Sequence, residues 1–499
     1  MNQQKIINKF GLFTATMMVI GSLIGVGIFF KNKSIMDTTG GSPTVTLIAW
    51  TVSGLIALCA AVSFSEIGTI ASGKNGLAMY GEKLVGIKFR NMIATLKPII
   101  YLGILSFILA IFSAEAFFQS LGINEKHIHV IYILLTSAVI FLFFIIVNTF
   151  SLKFGGLFQN FSAILKMIPV ILVILVPFIS PEFSISKSYF NSSCVTAKKS
   201  VFSASTLIAL MPSILFTFDG FSFVMDFGDN IKKPKKTIPL AVLGGMFFVL
   251  IIYLLITTSQ LFAREGISPE IINKATGSPI AVKIFWVLLT LGGLGVLNGV
   301  TMSSMKNYEY IFQKELLPFT KKLNKKKISL EVKGFIGTLI TFIFIWFVIG
   351  IPSALMNSDV LIDASSNLPT LFAFLIYLII IFAHFINRTK ITKIYFKSWK
   401  IKIKRLEKSK VEFSPINSFI YYLSTMISII GIIIVLSYQI FQPFIEITNY
   451  TKMKFGGFNS NHRKILNWHL ILLNFFIILI GVTTCTSSYF YNKNSWIKK

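Results

Sequence analysis

The stretch GSLIGVGIFF, Gly21–Phe30, lies inside an apolar run long enough to cross a membrane. Glycine occupies positions 21, 25 and 27, where residues that favour helix are expected. A helix interrupted inside lipid must satisfy its freed N–H and C=O groups from protein, water or a ligand, so such breaks occur where the backbone lines a cavity. The stretch therefore indicates either a binding site of unwound backbone or, because Gly21 and Gly25 have GxxxG spacing, a close helix contact.

A second interruption favours the binding site. The apolar segment 203–227 contains Pro212 and then Asp219 and Gly220 between aromatic residues. Two broken spans, one near the start and one five spans later, are typical of secondary transporters built from inverted repeats, in which the substrate lies between half-helices. This inference depends on the positions of the breaks, because the two halves share no convincing residue-level repeat.

The composition indicates an all-α polytopic membrane protein. Of 499 residues, 54% are hydrophobic, and they form uncharged runs of about 20 residues, the length that spans a bilayer. A soluble protein would leave runs such as VIYILLTSAVIFLFFIIV unexplained. We predict about twelve spans, at roughly 11–31, 43–66, 94–121, 128–148, 156–179, 203–227, 238–262, 280–312, 334–352, 367–387, 416–441 and 467–490.

Positive charge sets the predicted orientation. The chain has 47 Lys and Arg against 19 Asp and Glu, a net charge of +28. With both termini in the cytoplasm, about 33 of the 47 basic residues fall in cytoplasmic segments. The runs KKPKK and KKLNKKK then face anionic lipid at the cytoplasmic surface, which explains the charge without nucleic acid. We therefore expect a multi-pass plasma-membrane protein.

The sequence predicts no metal site and no cofactor. Cys59, Cys194 and Cys485 are too few and too scattered for a disulfide framework or a metal cluster. The five histidines are also scattered, and the chain has no nucleotide-binding P-loop. No partner subunit is indicated.

Five segments together resemble the amino acid–polyamine–organocation permeases, in particular bacterial amino acid permeases. Each is similar to a family motif, and they occur in the family's order on the first, second, fifth, sixth and eighth spans. The segments are 21–30, 64–86, 147–173, 218–239 and 297–318.

The resemblance implies a leucine-transporter-like fold that works by alternating access. Its core has ten helices in two inverted five-helix repeats, with the first and sixth helices broken. We place the core at 1–388, with repeats at about 11–180 and 203–388. A basic cytoplasmic loop follows at 389–415, and two additional spans and a tail at 416–499.

The resemblance also implies the substrate site. Backbone N–H groups of Ile24, Gly25, Val26 and Gly27 would hold the carboxylate of an amino acid. The broken sixth helix would provide the groups around the ammonium and the side chain, namely Phe216, Thr217, Phe218, Asp219 and Gly220. The helix dipoles agree with this placement of the substrate, because the N-terminus of a half-helix favours an anion and the C-terminus favours a cation.

Lys166 is the candidate coupling residue. It lies about ten residues from either end of its span, roughly 15 Å, too deep for the ammonium to reach a headgroup easily. In similar permeases a lysine here replaces the sodium ion of sodium-coupled relatives and bridges the first, fifth and eighth helices, with Ser304 the matching residue on the eighth. The resemblance therefore implies sodium-independent transport, by proton symport or by amino acid exchange.

Asp219 has three possible roles. It could select a cationic substrate, take part in proton coupling, or hydrogen-bond the broken backbone beside Gly220. The sequence does not determine which amino acid side chain the substrate carries.

Two other functions compete with transport. A transport-inactive nutrient sensor could use the same scaffold. A polytopic membrane enzyme would need clustered His, Asp or Glu near one membrane face, which the sequence lacks. We therefore expect a permease and not an enzyme.

Overall fold

The protein is a bundle of long helices. The structure, a computed structural model, describes residues 10–25, 27–70, 76–123, 128–190, 204–358, 360–388 and 418–445. The α-helices in this part of the chain are α1 (Leu12–Leu23), α2 (Gly27–Thr38), α3 (Pro43–Ile70), α4 (Gly76–Leu84), α5 (Ile87–Leu96), α6 (Leu102–Ser120), α7 (Val130–Phe150), α8 (Leu152–Leu165), α9 (Met167–Ile179), α10 (Ala204–Thr217), α11 (Phe223–Asp226), α12 (Pro234–Ala263), α13 (Ser268–Thr276), α14 (Pro279–Lys314), α15 (Pro318–Asn324), α16 (Leu330–Ile345), α17 (Ile351–Met356), α18 (Val360–Arg388) and α19 (Ser418–Ile445).

Eleven of the predicted spans fall on these helices. Nine described helices are long and apolar enough to cross a membrane, and α1 and α10 are shorter apolar helices. Both lie beside the predicted breaks, which explains their length. The predicted span 467–490 and the predicted loop 389–415 lie outside the described residues.

The third span begins earlier than predicted. It runs from Ile87 to Ser120, and a π-helical segment, Lys97–Tyr101, joins α5 to α6. Pro98 has no N–H to donate to the helix, which accounts for the local irregularity.

The long helix α14 lies at the centre of the bundle and packs against α6, α8 and α16. Its 36 residues correspond to about 54 Å at the helical rise, so it must tilt to fit a bilayer. Glycine permits its contact with α8: a Cβ built on Gly295 would lie 2.1 Å from the Ser162 Oγ. The two backbones therefore approach more closely than a larger residue would permit.

Helix α19 is attached to the core by packing and by polar contacts. It packs on α3 and α18, and the Ser63 and Thr425 hydroxyls are 2.9 Å apart. At the end of α18, Arg388 donates to the Glu66 carboxylate at 2.6 Å and lies over the Tyr421 ring, 3.9 Å from its centroid.

The bundle has two ends, which we name by one residue each. At the Phe10 face, the Phe10 N–H donates to the Asn230 carbonyl at 2.7 Å, and the Lys232 N–H donates to the Phe10 carbonyl at 2.8 Å. The basic run 232–236 therefore lies at this face. The Ser268 face carries α13, which packs against α9 and α14.

Candidate functional site

The first break lies where the glycine-rich stretch predicts it. Helix α1 ends at Leu23, and Ile24 has a non-helical ψ of 89°. The Gly25 N–H donates to the Leu23 carbonyl at 2.9 Å instead of to Gly21, four residues back. The Gly21 carbonyl is therefore released from the helix.

Lys166 donates hydrogen bonds to the backbone carbonyls at the first break. Its Nζ donates to the Gly21 carbonyl at 2.6 Å and to the Ile24 carbonyl at 2.9 Å. The residue lies between α8 and α9 and is only 2% exposed. An ammonium at this depth is costly unless oxygen atoms surround it, so the two carbonyls and the lysine stabilise each other.

The structure does not bring Lys166 and Ser304 together. The Ser304 hydroxyl pairs with Thr338 of α16 at 3.3 Å, so it points away from the first break. The α14 residue beside Lys166 is Gly292, where a built Cβ would lie 3.3 Å from the lysine Cβ. The two α14 positions are twelve residues apart, about 18 Å along the helix.

The second break follows α10. The chain turns at Gly220, whose φ of +119° suits glycine, before it forms α11. The Asp219 carboxylate accepts from the Gly220 N–H at 2.9 Å and from the Tyr377 hydroxyl at 3.1 Å. These contacts agree with the third role considered for Asp219, a hydrogen bond to the broken backbone.

Two hydroxyls connect the breaks. Ser22 donates across to the Gly220 carbonyl at 3.1 Å. Tyr253 of α12 is fully buried, and its hydroxyl lies 2.7 Å from the Leu23 carbonyl and 3.1 Å from the Thr217 carbonyl. One hydroxyl hydrogen thus serves the carbonyl ends of both half-helices. We did not predict Tyr253, although a tyrosine within the aliphatic run VLIIYLLI is a detectable signal.

The other predicted substrate residues differ in accessibility. Gly25 and Phe216 are half-buried, whereas the Phe218 ring is fully buried. Its centroid lies 6.2 Å from that of Trp50 and 5.1 Å from that of Tyr253. The Thr217 hydroxyl donates to its own helix, at the Ile214 carbonyl. Gly27 begins α2, and Val26 lies outside the described residues.

A buried ion pair beside the second break was also not predicted. The Lys97 ammonium contacts both Asp226 oxygens, at 2.7 and 2.6 Å, and neither side chain is more than 1% exposed. Ser303 and Asn307 of α14 donate to the same carboxylate at 2.6 and 3.2 Å. In the sequence both charges stand near span ends, where a charged side chain reaches water, so neither appears unusual.

The Ser268 face is closed by a buried polar network. The Trp50 indole N–H donates to Asn32 at 2.7 Å, and Asn32 donates to Thr257 at 3.1 Å and to Gln260. Gln260 in turn donates to Ser268 at 3.0 Å. Because all five side chains are fully buried, this network binds α2, α3 and α12 tightly together.

A cavity lies on the other side of the breaks. It extends between α1, α8, α11 and α14 from Phe10 to Ser22, and its lining includes Gln159, Phe223 and Met302. The described structure thus pairs a closed Ser268 face with a cavity toward the Phe10 face.

Comparison with solved structures supports the predicted leucine-transporter-like fold. The crystal structure of MhsT in complex with L-phenylalanine matches 85% of this chain and 98% of its own, with a TM-score of 0.58 and 16% sequence identity. The likeness shows the leucine-transporter-like fold.

Curated relatives are amino acid transporters. The serine/threonine exchanger SteT of Bacillus subtilis is 26% identical over 76% of this chain and 82% of its own length. The human cystine/glutamate transporter is 25% identical over 57% of this chain and 58% of its own. The human b(0,+)-type amino acid transporter 1 is 22% identical over 59% and 61%, so the chain spans about six tenths of the two human relatives.

The match to a family model covers all the described residues. The model of the amino acid permease family matches residues 10–455, a range that includes both breaks, Lys166 and the Lys97–Asp226 pair. The chain belongs to the amino acid permease family.

Proposed function

We propose that this protein is a secondary-active amino acid transporter that works by alternating access without sodium. The observation that carries this proposal is the contact of the Lys166 ammonium with the Gly21 and Ile24 carbonyls. Carbonyl oxygens released by an unwound helix are suited to a cation. Because Lys166 supplies a covalently attached cation there, a bound sodium ion is unnecessary.

The amino acid would bind between the breaks. The Ile24 and Gly25 N–H groups donate to the Ile20 and Leu23 carbonyls, so the carboxylate would be held at the start of α2, at Gly27, with Ile24 and Gly25 shaping the site. The end of α10 at Phe216 and Thr217 would face the ammonium. Phe216 is the better candidate for contact with the substrate side chain, because the Phe218 ring is packed on Trp50 and Tyr253. Asp219 and Gly220 would shape the second break.

We place the Phe10 face in the cytoplasm of the cell that carries this protein in its plasma membrane. The basic run 232–236 lies at this face, and positive charge is concentrated in cytoplasmic loops. The same lysines would attract anionic lipid. In this orientation, the cavity beside Ser22 opens toward the cytoplasm and the Ser268 face is the closed outer gate.

A counterflow experiment with purified protein in liposomes tests the proposal. The liposomes are loaded with one unlabelled amino acid, and entry of a panel of labelled neutral, cationic and anionic amino acids is measured. We expect at least one class to enter loaded liposomes or to follow a pH gradient. If no amino acid moves although the protein is monodisperse and folded, the proposal is wrong and a sensor role replaces it.

Lys166→Ala provides the matched variant. It removes the ammonium and leaves the Gly21 and Ile24 carbonyls without their donor, so transport should fall to background while the protein still inserts. Lys283→Ala, at a lysine near the Ser268 face, is the control and should transport normally.

A further inference from the structure

The second break carries more negative charge than positive charge. Asp219 precedes α11 and Asp226 is its last residue, so both lie on the same short segment. Among the described residues, the cation beside them is Lys97, which contacts Asp226 directly and acts electrostatically on Asp219. Two carboxylates and one ammonium leave a formal charge of −1 within the bundle.

The elements packed around this segment bring hydroxyls instead of a second cation. Tyr377 of α18 donates to Asp219 at 3.1 Å and to Ser222 at 2.8 Å. Tyr101, four residues after Lys97, also lies within hydrogen-bonding reach of Asp219 and Tyr377. Tyr80 of α4 lies within electrostatic range of Asp226.

Two polar atoms in this cluster are buried without a hydrogen-bond partner among the described residues. They are the Tyr80 hydroxyl and the Asn307 carbonyl oxygen, and both residues are no more than 1% exposed. Buried polar groups normally have partners, so two such atoms beside a cluster with an excess of negative charge indicate a site that accepts a further hydrogen-bonding species.

We propose that Asp219, Asp226 and Lys97 form the site for the coupling proton, an inference that rests on the proposed transport function. One proton makes the cluster neutral, and a carboxylic acid gains a donor that the surrounding oxygens can accept. Moving the segment around α11 during alternating access is cheaper when its buried charge is zero. Transport is therefore faster at low pH and decreases as pH rises and the proton is lost.

The test uses the full-length protein in liposomes that contain a pH-sensitive dye, so that proton entry and labelled amino acid entry are measured together. For the wild type, we expect protons to enter with the amino acid. On the basic side of the titration, uptake should fall by about tenfold per pH unit, the limit for one proton.

Asp226→Asn changes the charge count. Asp219 and Lys97 then balance without a proton, so the remaining uptake should be independent of pH and should move no protons, even if its maximal rate is lower. The double variant Lys97→Gln with Asp226→Asn restores a charge of −1 on Asp219 alone, so the pH dependence should return. Return of the pH dependence in the double variant would show that the charge count, and not the loss of one side chain, sets the coupling.

Glu309→Gln is the matched control. It also converts an ion-paired acid of the bundle to an amide, since Glu309 pairs with Lys306 at 2.8 Å, but it lies outside the cluster. It should keep the wild-type pH dependence. A substrate-induced change in the infrared band of protonated carboxylic acids in the wild type provides a measurement that needs no variant.

Two results would overturn the assignment. The first is wild-type uptake that carries no protons, does not depend on pH and produces no carboxylic-acid infrared change. The second is Asp226→Asn with the wild-type pH dependence. In both cases amino acids still move, so the proposed function stands, whereas a complete absence of amino acid movement overturns both proposals.

Discussion

Tyr253 is the residue that couples the two breaks most directly. Its buried hydroxyl lies within hydrogen-bond distance of the Leu23 and Thr217 carbonyls. Tyr253→Phe removes this donor and little volume, and a buried hydrogen bond is worth about 1 kcal/mol, or roughly fivefold. We expect the apparent affinity for the amino acid to weaken by about that factor in a liposome uptake assay.

Tyr308→Phe is the control for this prediction. The Tyr308 hydroxyl is also buried and pairs with Thr341 of α16, away from both breaks. It should alter thermal stability without altering apparent affinity. Equal affinity losses in the two variants would contradict the role assigned to Tyr253.

Some residues of the candidate site can be predicted from the sequence, and others cannot. Gly21 and Gly25 are visible because glycine is unusual within a span, and Lys166 because a charge at mid-span has few benign explanations. Lys97 and Asp226 lie near span ends, so their pairing depends on how α11 packs against its neighbours. A sequence motif gives the order of residues along α14, but it does not show which neighbouring helix each face of α14 contacts. The contact of Ser304 with Thr338 of α16 is therefore visible only in the structure.

At the level of elements, the contact of α8 with α14 depends on the absence of a side chain. Gly295→Ala places a methyl group 2.1 Å from the Ser162 Oγ, and overpacking of this kind costs typically 1–3 kcal/mol, here about 2 kcal/mol. We expect a lower melting temperature in detergent and slower uptake. The reason is that α8 leads directly into Lys166, so a displaced α8 also displaces the ammonium.

Ser162→Gly added to Gly295→Ala should restore most of the lost stability, because it removes the hydroxyl and the Cβ that the new methyl group meets. Gly244→Ala is the control, since a Cβ there would have no neighbour within 4 Å. A destabilised Gly244→Ala, or a double variant as unstable as Gly295→Ala, would contradict the packing explanation.

For the whole molecule, the closed Ser268 face and the cavity toward the Phe10 face predict from which side of the membrane a reagent in water can reach the breaks. In a background without native cysteines, Met18→Cys lies in the cavity and Thr257→Cys within the buried network at the Ser268 face. A membrane-impermeant thiol reagent should modify position 18 from the Phe10 face and should not modify position 257 from the opposite face. The reverse pattern would show that the outward-facing state dominates in the membrane.

More of the helical architecture than of the candidate site could be predicted from the sequence. Long uncharged runs determine where helices cross a membrane, so the predicted spans and the described helices agree in number and order wherever both exist. Contacts between helices depend on register and tilt, which no single run encodes. The bonds of Tyr253 to two distant carbonyls and of Asp226 to α14 therefore became evident only in the structure.

Whether Lys166 replaces a bound sodium ion is decided by counterflow of the wild-type protein, measured with sodium present and with sodium fully replaced by choline. Because the Lys166 ammonium supplies the cation at the first break, the initial rates should be equal in the two media. Uptake that requires sodium would contradict the account, since a sodium ion would then have to bind where the Gly21 and Ile24 carbonyls already hold Lys166.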